Sequence, residues 1–205
     1  MKDLLIFPYN GNGLEAISCL TKEFNLLGFI DDTPAKQGKT PYKYSVFGRD
    51  FILENPGAEI LAVPGSPTSF KTRKQVIDSL SIPDSRFATV IHPMASVSPL
   101  AQIGRNVLIM AGVVITANAV IGDHVCILPN TVIHHDCVIG NYTLIGSNVS
   151  IAGGVKVGEN CYIGSGTRIM NDITIGARTL IGLGSNVLKS LPEDVKAAGN
   201  PALIL

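Results

Sequence analysis

Ile127-Leu128-Pro129-Asn130-Thr131-Val132-Ile133-His134-His135-Asp136-Cys137-Val138-Ile139-Gly140-Asn141-Tyr142-Thr143-Leu144-Ile145 carries an isoleucine at every sixth position. Followed outward in both directions, the series runs unbroken through seventeen Ile or Val residues, from Ile91 to Val187. A period of six suits neither an α-helix nor an alternating strand. It suits a chain wound into a triangular prism in which each hexad forms one flat side. Three sides make an 18-residue coil, so the series spans about five and a half coils. Coils of this kind stack through backbone ladders about 4.8 Å apart. The periodic residues then fill a dry axis, at about 1.5–3 kcal/mol for each fully buried branched side chain. Gly follows the periodic residue at 104, 122, 140, 146, 158, 164, 176 and 182. The slot four places after it holds small residues, among them Cys137 and Cys161, which are read as core filler.

The rest of the composition agrees with a well-buried protein. Of 205 residues, 46% are apolar and only 16% charged, and 16 Lys and Arg balance 16 Asp and Glu. A neutral surface gives no electrostatic reason to expect nucleic acid or anionic lipid as a partner. No apolar run reaches the length that spans a bilayer and no signal-peptide cleavage pattern follows the N-terminus, so a cytoplasmic location is expected. The four Cys match no zinc or CxxC motif, and the four His include no His-x4-His pair, so no metal is expected.

Before the repeats the pattern changes. Lys2–Phe7 reads as a strand, residues 10–13 as a turn, and Leu14–Leu27 as a helix with apolar residues at helical spacing. Gly28-Phe29-Ile30 reads as a second strand ending at Asp31-Asp32, residues 33–44 as a loop, and Glu59–Val63 as a buried strand. Ser66 reads as the N-cap of a helix that begins at Pro67 and runs to about Leu80. This order implies a small Rossmann-like parallel α/β domain over residues 1–87, followed by the repeat domain over 88–205.

Two stretches suggest chemistry. Gly11-Asn12-Gly13-Leu14-Glu15-Ala16 follows a strand and fits G-x-G-x-x-(G/A), a turn that lets backbone approach a phosphate. Asp31 lies 18 residues beyond Gly13, where a carboxylate would meet ribose hydroxyls. A dinucleotide needs two such half-folds, and 87 residues provide one, which fits a single nucleotide diphosphate. Asp31 and Asp32 are expected at the base or ribose, with Gly11, Asn12, Gly13 and Lys36 at the phosphates. The second stretch is His134-His135-Asp136. A neutral imidazole suits removal of a proton from an attacking amine or hydroxyl, and a carboxylate beside it orients the ring. His134 immediately follows the inward Ile133 on a flat side, whereas His135 sits near a corner where copies of the prism would meet. Gly153 is one coil after His135 and would offer a backbone N–H to an oxyanion. His92 reads as structural, and His124 as a solvated turn residue or a neighbour of the active site.

The repeat Ile-Gly-x-x-(Val/Thr/Ser/Ala)-x and the tail Gly199-Asn200-Pro201-Ala202 resemble the hexapeptide acyltransferases, which form left-handed parallel β-helices. With the α/β domain in front, the whole chain resembles the sialic acid O-acetyltransferase and bacillosamine-pathway N-acetyltransferase group. The resemblance implies a cytoplasmic homotrimer that uses acetyl-CoA as co-substrate and a nucleotide-linked sugar as acceptor. The expected reaction is N-acetylation of an aminosugar. Sugar O-acetylation and a non-catalytic nucleotide-binding trimer are the alternatives. The family's His-(Glu/Asp) pair aligns with His135 and Asp136, leaving His134 as a neighbour. Ser165 and Leu183 are implied to continue the pantetheine groove beyond Gly153. Two positions depart from the family pattern, since Asn12 and Leu144 stand where relatives carry His.

Overall fold

The computed structural model describes all 205 residues. Strands β1 (Lys2–Phe7), β2 (Phe24–Ile30), β3 (Gly38–Lys39), β4 (Ser45–Phe47) and β5 (Glu59–Ala62) form a sheet of order β3-β4-β2-β1-β5. All its pairings are parallel except β3 with β4. Helices α1 (Gly11–Ala16), α2 (Asp50–Glu54) and α3 (Arg73–Asp78) accompany it.

The expected helix over Leu14–Leu27 is much shorter. It begins three residues earlier, on the Asn10 cap whose side chain accepts from Gly13 N–H, and passes into a 3-10 turn over Ile17–Cys19. From Phe24 the chain is strand, because β1 takes Phe24, Asn25 and Leu26 as its ladder partners. Leu14, Ile17, Leu20 and Phe24 all pack on one core, so apolar spacing did not separate helix from strand here. Ser66 caps no helix either. Its hydroxyl bonds those of Thr68 and Ser69 in a polar turn, and a 3-10 turn over Phe70–Thr72 precedes α3.

From Val90 the chain winds as a left-handed parallel β-helix with three ladders. The first face carries Leu108–Ile109, Cys126–Ile127, Leu144–Ile145, Tyr162–Ile163 and Leu180–Ile181, and its last strand, Lys196–Gly199, turns back in a hairpin with Ala202–Ile204. The second face carries Val114–Ile115, Val132–Ile133, Ser150–Ile151 and Arg168–Ile169. The third carries Val120–Ile121, Val138–Ile139, Lys156–Val157 and Thr174–Ile175. Up to Val187 every register joins residues 18 apart, as in Ile115, Ile133 and Ile151, and the closing pairing of Leu180–Ile181 with Lys196–Ala197 shortens the step to 16.

The periodic residues from Ile109 to Val187 are buried in one core with Cys137 and Cys161. Ile91 is 37% exposed because the first coil has no coil above it. Inward polar groups hand their hydrogen to the next coil: Thr131 Oγ1 donates to Gly146 O (2.7 Å), Thr143 Oγ1 to Gly158 O (3.0 Å) and Cys137 Sγ to Ala152 O (3.1 Å). Burial pushes the Cys161 thiol up to about 11, which keeps it protonated and inert.

From Ile103 to Ile181 the residue three places after each periodic one turns the corner in the left-handed region. Asn118, Asn130, Asp136, Asn148 and Asp172 all have φ between 55° and 60°. Asn and Asp tolerate this conformation and bulky residues do not. His124 (φ 62°), Tyr142 (61°) and Arg178 (56°) nevertheless adopt it, and all three lie on the edge between the third and first faces. That edge supports the α/β domain. Asn106 Oδ1 accepts from Ala62 N–H (2.7 Å) and its Nδ2 donates to Ala62 O (2.9 Å), while His124 stacks on Tyr142 at 4.6 Å. Arg73, 1% exposed, donates to the carbonyls of Tyr142 (2.9 Å), His124 (2.7 Å) and Pro64. Burial pulls its pKa down to about 10, so it stays charged at neutral pH.

His124 is therefore neither solvated nor near the corner that carries His135. It is 7% exposed, and its Nδ1 lies 2.9 Å from Asn106 Nδ2. The Ala62 contact fixes that amide as the donor, so His124 Nδ1 accepts and the ring is neutral. Burial lowers the His124 pKa, and Arg73 adds to the effect against the opposing pull of Asp123. A base with a depressed native pKa is protonated first in the unfolded chain. Stability is thus expected to be flat above neutrality and to fall as pH drops below the ordinary His value of about 6.5. Urea midpoints between pH 7.5 and 5.5 test this, and His124→Phe should show a shallower decline than the native chain. Equal slopes would place the acid sensitivity elsewhere.

Candidate active site

His135 and Asp136 occupy the turn between the second and third faces, the edge opposite the first face. Asp136 takes the left-handed corner conformation, and His135 Nδ1 lies 2.7 Å from Asp136 Oδ2. The other carboxylate oxygen, Oδ1, accepts from Asn118 Nδ2 (3.0 Å), one coil earlier. The bond to His135 first, and Asn118 second, hold the Asp136 carboxyl below the usual carboxylate range. Asp136 is thus an acceptor at neutral pH, the proton between the pair sits on Nδ1, and Nε2 presents its lone pair outward.

Gly153 lies directly against this ring. A Cβ built on Gly153 would stand 2.6 Å from His135 Cε1 and 2.7 Å from Nε2. The place is open only because residue 153 has no side chain. At three other turns the backbone N–H at this position is capped by a side chain one coil later: Arg105 N by Asp123 Oδ1 (2.7 Å), Asp123 N by Asn141 Oδ1 (2.9 Å) and Ser147 N by Ser165 Oγ (3.0 Å). The Gly153 N–H finds no acceptor within the chain. His134 is exposed on the second face with only its backbone engaged, its N–H donating to Ile151 O (3.0 Å).

The structure does not place all the expected acyl-donor residues on one edge. Ser165 and Leu183 stand on the turn between the first and second faces, away from His135 and Gly153. Ser165 Oγ is engaged by Ser147 N–H, and Leu183 is 73% exposed.

On the α/β domain, Gly13 packs so closely on the β1 end that a Cβ would stand 2.7 Å from Pro8 O, whereas Gly11 faces open space. Asp31 does not point to solvent. It is 3% exposed, with Oδ1 accepting from Thr33 N–H (2.9 Å) and Oδ2 from Lys36 Nζ (2.9 Å), and Lys36 also reaches Tyr9 O (3.1 Å). Burial would raise the Asp31 pKa, but the bonds from Lys36 and Thr33 outweigh it and the net shift is downward. A ribose hydroxyl would have to displace one of these donors. Asp32 is exposed and held bidentately by Arg49, Nε to Oδ1 (2.6 Å) and Nη2 to Oδ2 (2.8 Å).

Asn12 opens onto a cleft of about 190 Å³ between the domains, lined by Gly65, Ser66, Pro67, Leu128, Leu144 and Tyr162. The two positions that depart from the family pattern, Asn12 and Leu144, thus face the same space. The cleft lies against the first face, on the far side of the prism from His135. Arg49, Tyr162 and Asn118 were not among the expected site residues. Asn118, one coil length before Asp136, and Tyr162, one coil length after Leu144, both left a signal in the sequence, and Arg49 left none.

The bacterial transferase hexapeptide profile (six repeats) matches residues 100–135, 118–153, 136–171 and 154–189. No curated protein sequence matches the chain. Among solved structures, the acetyltransferase domain of PglB from Neisseria gonorrhoeae is 27% identical with a TM-score of 0.84, covering 100% of both chains. The same domain in complex with acetyl coenzyme A matches at 25% identity and a TM-score of 0.83, over 100% of this chain and 99% of that one. PerB from Caulobacter crescentus, in complex with CoA and GDP-perosamine, is 32% identical with a TM-score of 0.85, over 100% of this chain and 97% of that one. Repeats and front domain are thus parts of one shared architecture, and the chain belongs to the hexapeptide-repeat, left-handed β-helix acyltransferases, in their group of sugar acetyltransferases.

Proposed function

We propose that the protein moves an acetyl group from acetyl-CoA to the amino group of a nucleotide-linked aminosugar, in the cytoplasm and as a homotrimer. The observation that carries this reading is the His135 ring, held by Asp136 through Nδ1 and lying against the bare backbone of Gly153. PerB, bound to CoA and GDP-perosamine, supplies the substrate class. No helix is long and apolar enough to cross a membrane.

The chemistry needs no covalent enzyme intermediate. The acceptor nitrogen attacks the thioester carbonyl as His135 Nε2 takes its proton. The carbonyl oxygen becomes an oxyanion facing the uncapped Gly153 N–H. Collapse breaks the C–S bond, and the imidazolium returns its proton to the departing CoA sulfur. Asp136 remains ionised and stabilises the imidazolium throughout.

The position of the parts supports a trimer. In one copy the interdomain cleft and the His135 edge lie on opposite sides of the prism, so one acceptor cannot reach both. A second copy whose first face approaches that edge brings its cleft, Leu144, Ser165 and Leu183 to His135 and Gly153. The acceptor's diphosphate then lies along Gly11, Asn12, Gly13 and Lys36, with Asp32 and Arg49 toward the nucleoside and Asp31 holding Lys36 in place.

Three measurements bear on this reading. His135→Ala should lower kcat by about 10²–10⁴-fold with little change in KM, and should remove the acid limb of the pH–rate profile, with His134→Ala costing less. An unchanged rate would dismiss His135 as the base. Gly153→Ala should leave the melting temperature near native, since its backbone is not left-handed, yet slow transfer by about 10–100-fold by pushing the ring off Asp136. Normal turnover would show that the ring does not use this position. Finally, His135→Ala and the cleft-blocking Asn12→Trp should each be inactive alone but regain partial activity after subunit exchange. No recovery from mixed trimers, or a monomer by light scattering, would refute the shared site.

A further inference from the structure

We infer that Asn118 is a positioning residue, whose side-chain amide fixes the plane of the Asp136 carboxylate and through it the orientation and tautomer of the His135 ring. This rests on the reading of His135 as the base. The two carboxylate oxygens are divided between two donors, Oδ1 to Asn118 Nδ2 at 3.0 Å and Oδ2 to His135 Nδ1 at 2.7 Å. Asp136 is otherwise an exposed corner residue with nothing packed around its carboxylate, its side chain 57% accessible. Without Asn118 the group turns about its own bonds, and either oxygen, or water, meets the imidazole. With Asn118 engaged, one rotation survives, and it points Oδ2 at Nδ1.

The contact is not a general property of the corners. Asn118 and Asp136 are stacked left-handed residues one coil apart, with φ of 60° and 59°. Asn130 and Asn148 stand in the same relation on the neighbouring edge, at 60° and 55°, and make no side-chain hydrogen bond to each other. The amide is also the suitable group. It donates to a carboxylate without adding charge, so it orients Asp136 without competing with the imidazolium for it. The ring is thereby held from two coils, by the Asn118–Asp136 pair on one side and by the Gly153 backbone on the other. The remaining titratable side chains on this edge are His134, the inward thiol of Cys137, Asp172 and, three coils beyond His135, the exposed Lys189.

Asn118→Gly is the informative deletion, because glycine adopts the 60° φ without strain. It should lower kcat by about 3- to 10-fold, within the net range for losing one hydrogen bond, with KM for both substrates and the melting temperature unchanged. In ¹⁵N-histidine spectra the share of His135 protonated at Nδ1 should fall. In an Asp136→Asn background the same deletion should have no further effect. Asn118→Asp sets a second carboxylate beside Asp136 and should move the acid limb of the pH–rate profile to higher pH. An unchanged tautomer and rate in Asn118→Gly, or an equal loss with and without Asp136, would overturn the assignment. Because the tautomer is read without turnover, this failure is distinct from that of the base itself, which full activity of His135→Ala would show.

Discussion

Stacking in register is the constraint on which everything else in this molecule depends. Each inward Ile or Val is useful only if the next lies directly over it, and each such burial is worth about 1.5–3 kcal/mol. The price of that continuity is a rigid rule that residues 18 apart are neighbours. The rule turns distant sequence positions into contacts: Asn118 with Asp136, His135 with Gly153, Ser147 with Ser165. The candidate catalytic group therefore does not rest on a mobile loop. It is built into a ladder whose every rung is buried on one side, which holds the ring and its partners with little freedom.

The second feature of consequence is the seam between the domains. Three bulky residues accept the left-handed corner conformation, and two of them, His124 and Tyr142, do so where the α/β domain packs. Such backbone strain costs on the order of 1–3 kcal/mol per residue. The buried guanidinium of Arg73 offsets it by satisfying three carbonyls that packing would otherwise strand. The seam makes the front domain and the prism one body, so the cleft that Asn12 opens onto keeps a fixed distance from every prism edge.

Periodicity made the prism legible, because a six-residue repeat is a local property and survives any tertiary context. The same count placed Cys137 and Cys161 on the axis and His135 at a corner, and both placements match the structure. What it did not convey were choices settled by distant partners. Phe24 joins a strand because β1 needs a neighbour there, although its spacing suits a helix. Asp31 turns inward because Lys36 and Thr33 offer donors. His124 resembled any solvated turn residue until the α/β domain covered it. Ser165 and Leu183, which the resemblance implies continue the groove beyond Gly153, stand on another edge of the same copy, since twelve residues from Gly153 to Ser165 is two sides and not a full coil.

That arithmetic also governs how such a chain can change in length. Deleting one residue between Asp136 and Gly153 would bring Gly154 beneath His135 and move every later isoleucine off the axis. Removing or inserting a whole coil below Val187 would leave each of those relations intact and change only the height of the prism, by about 4.8 Å. Coil number is thus a dimension this architecture can vary independently of its chemistry. Close relatives should accordingly differ in size by multiples of eighteen, with shorter insertions bulging from the turns and leaving the sides intact.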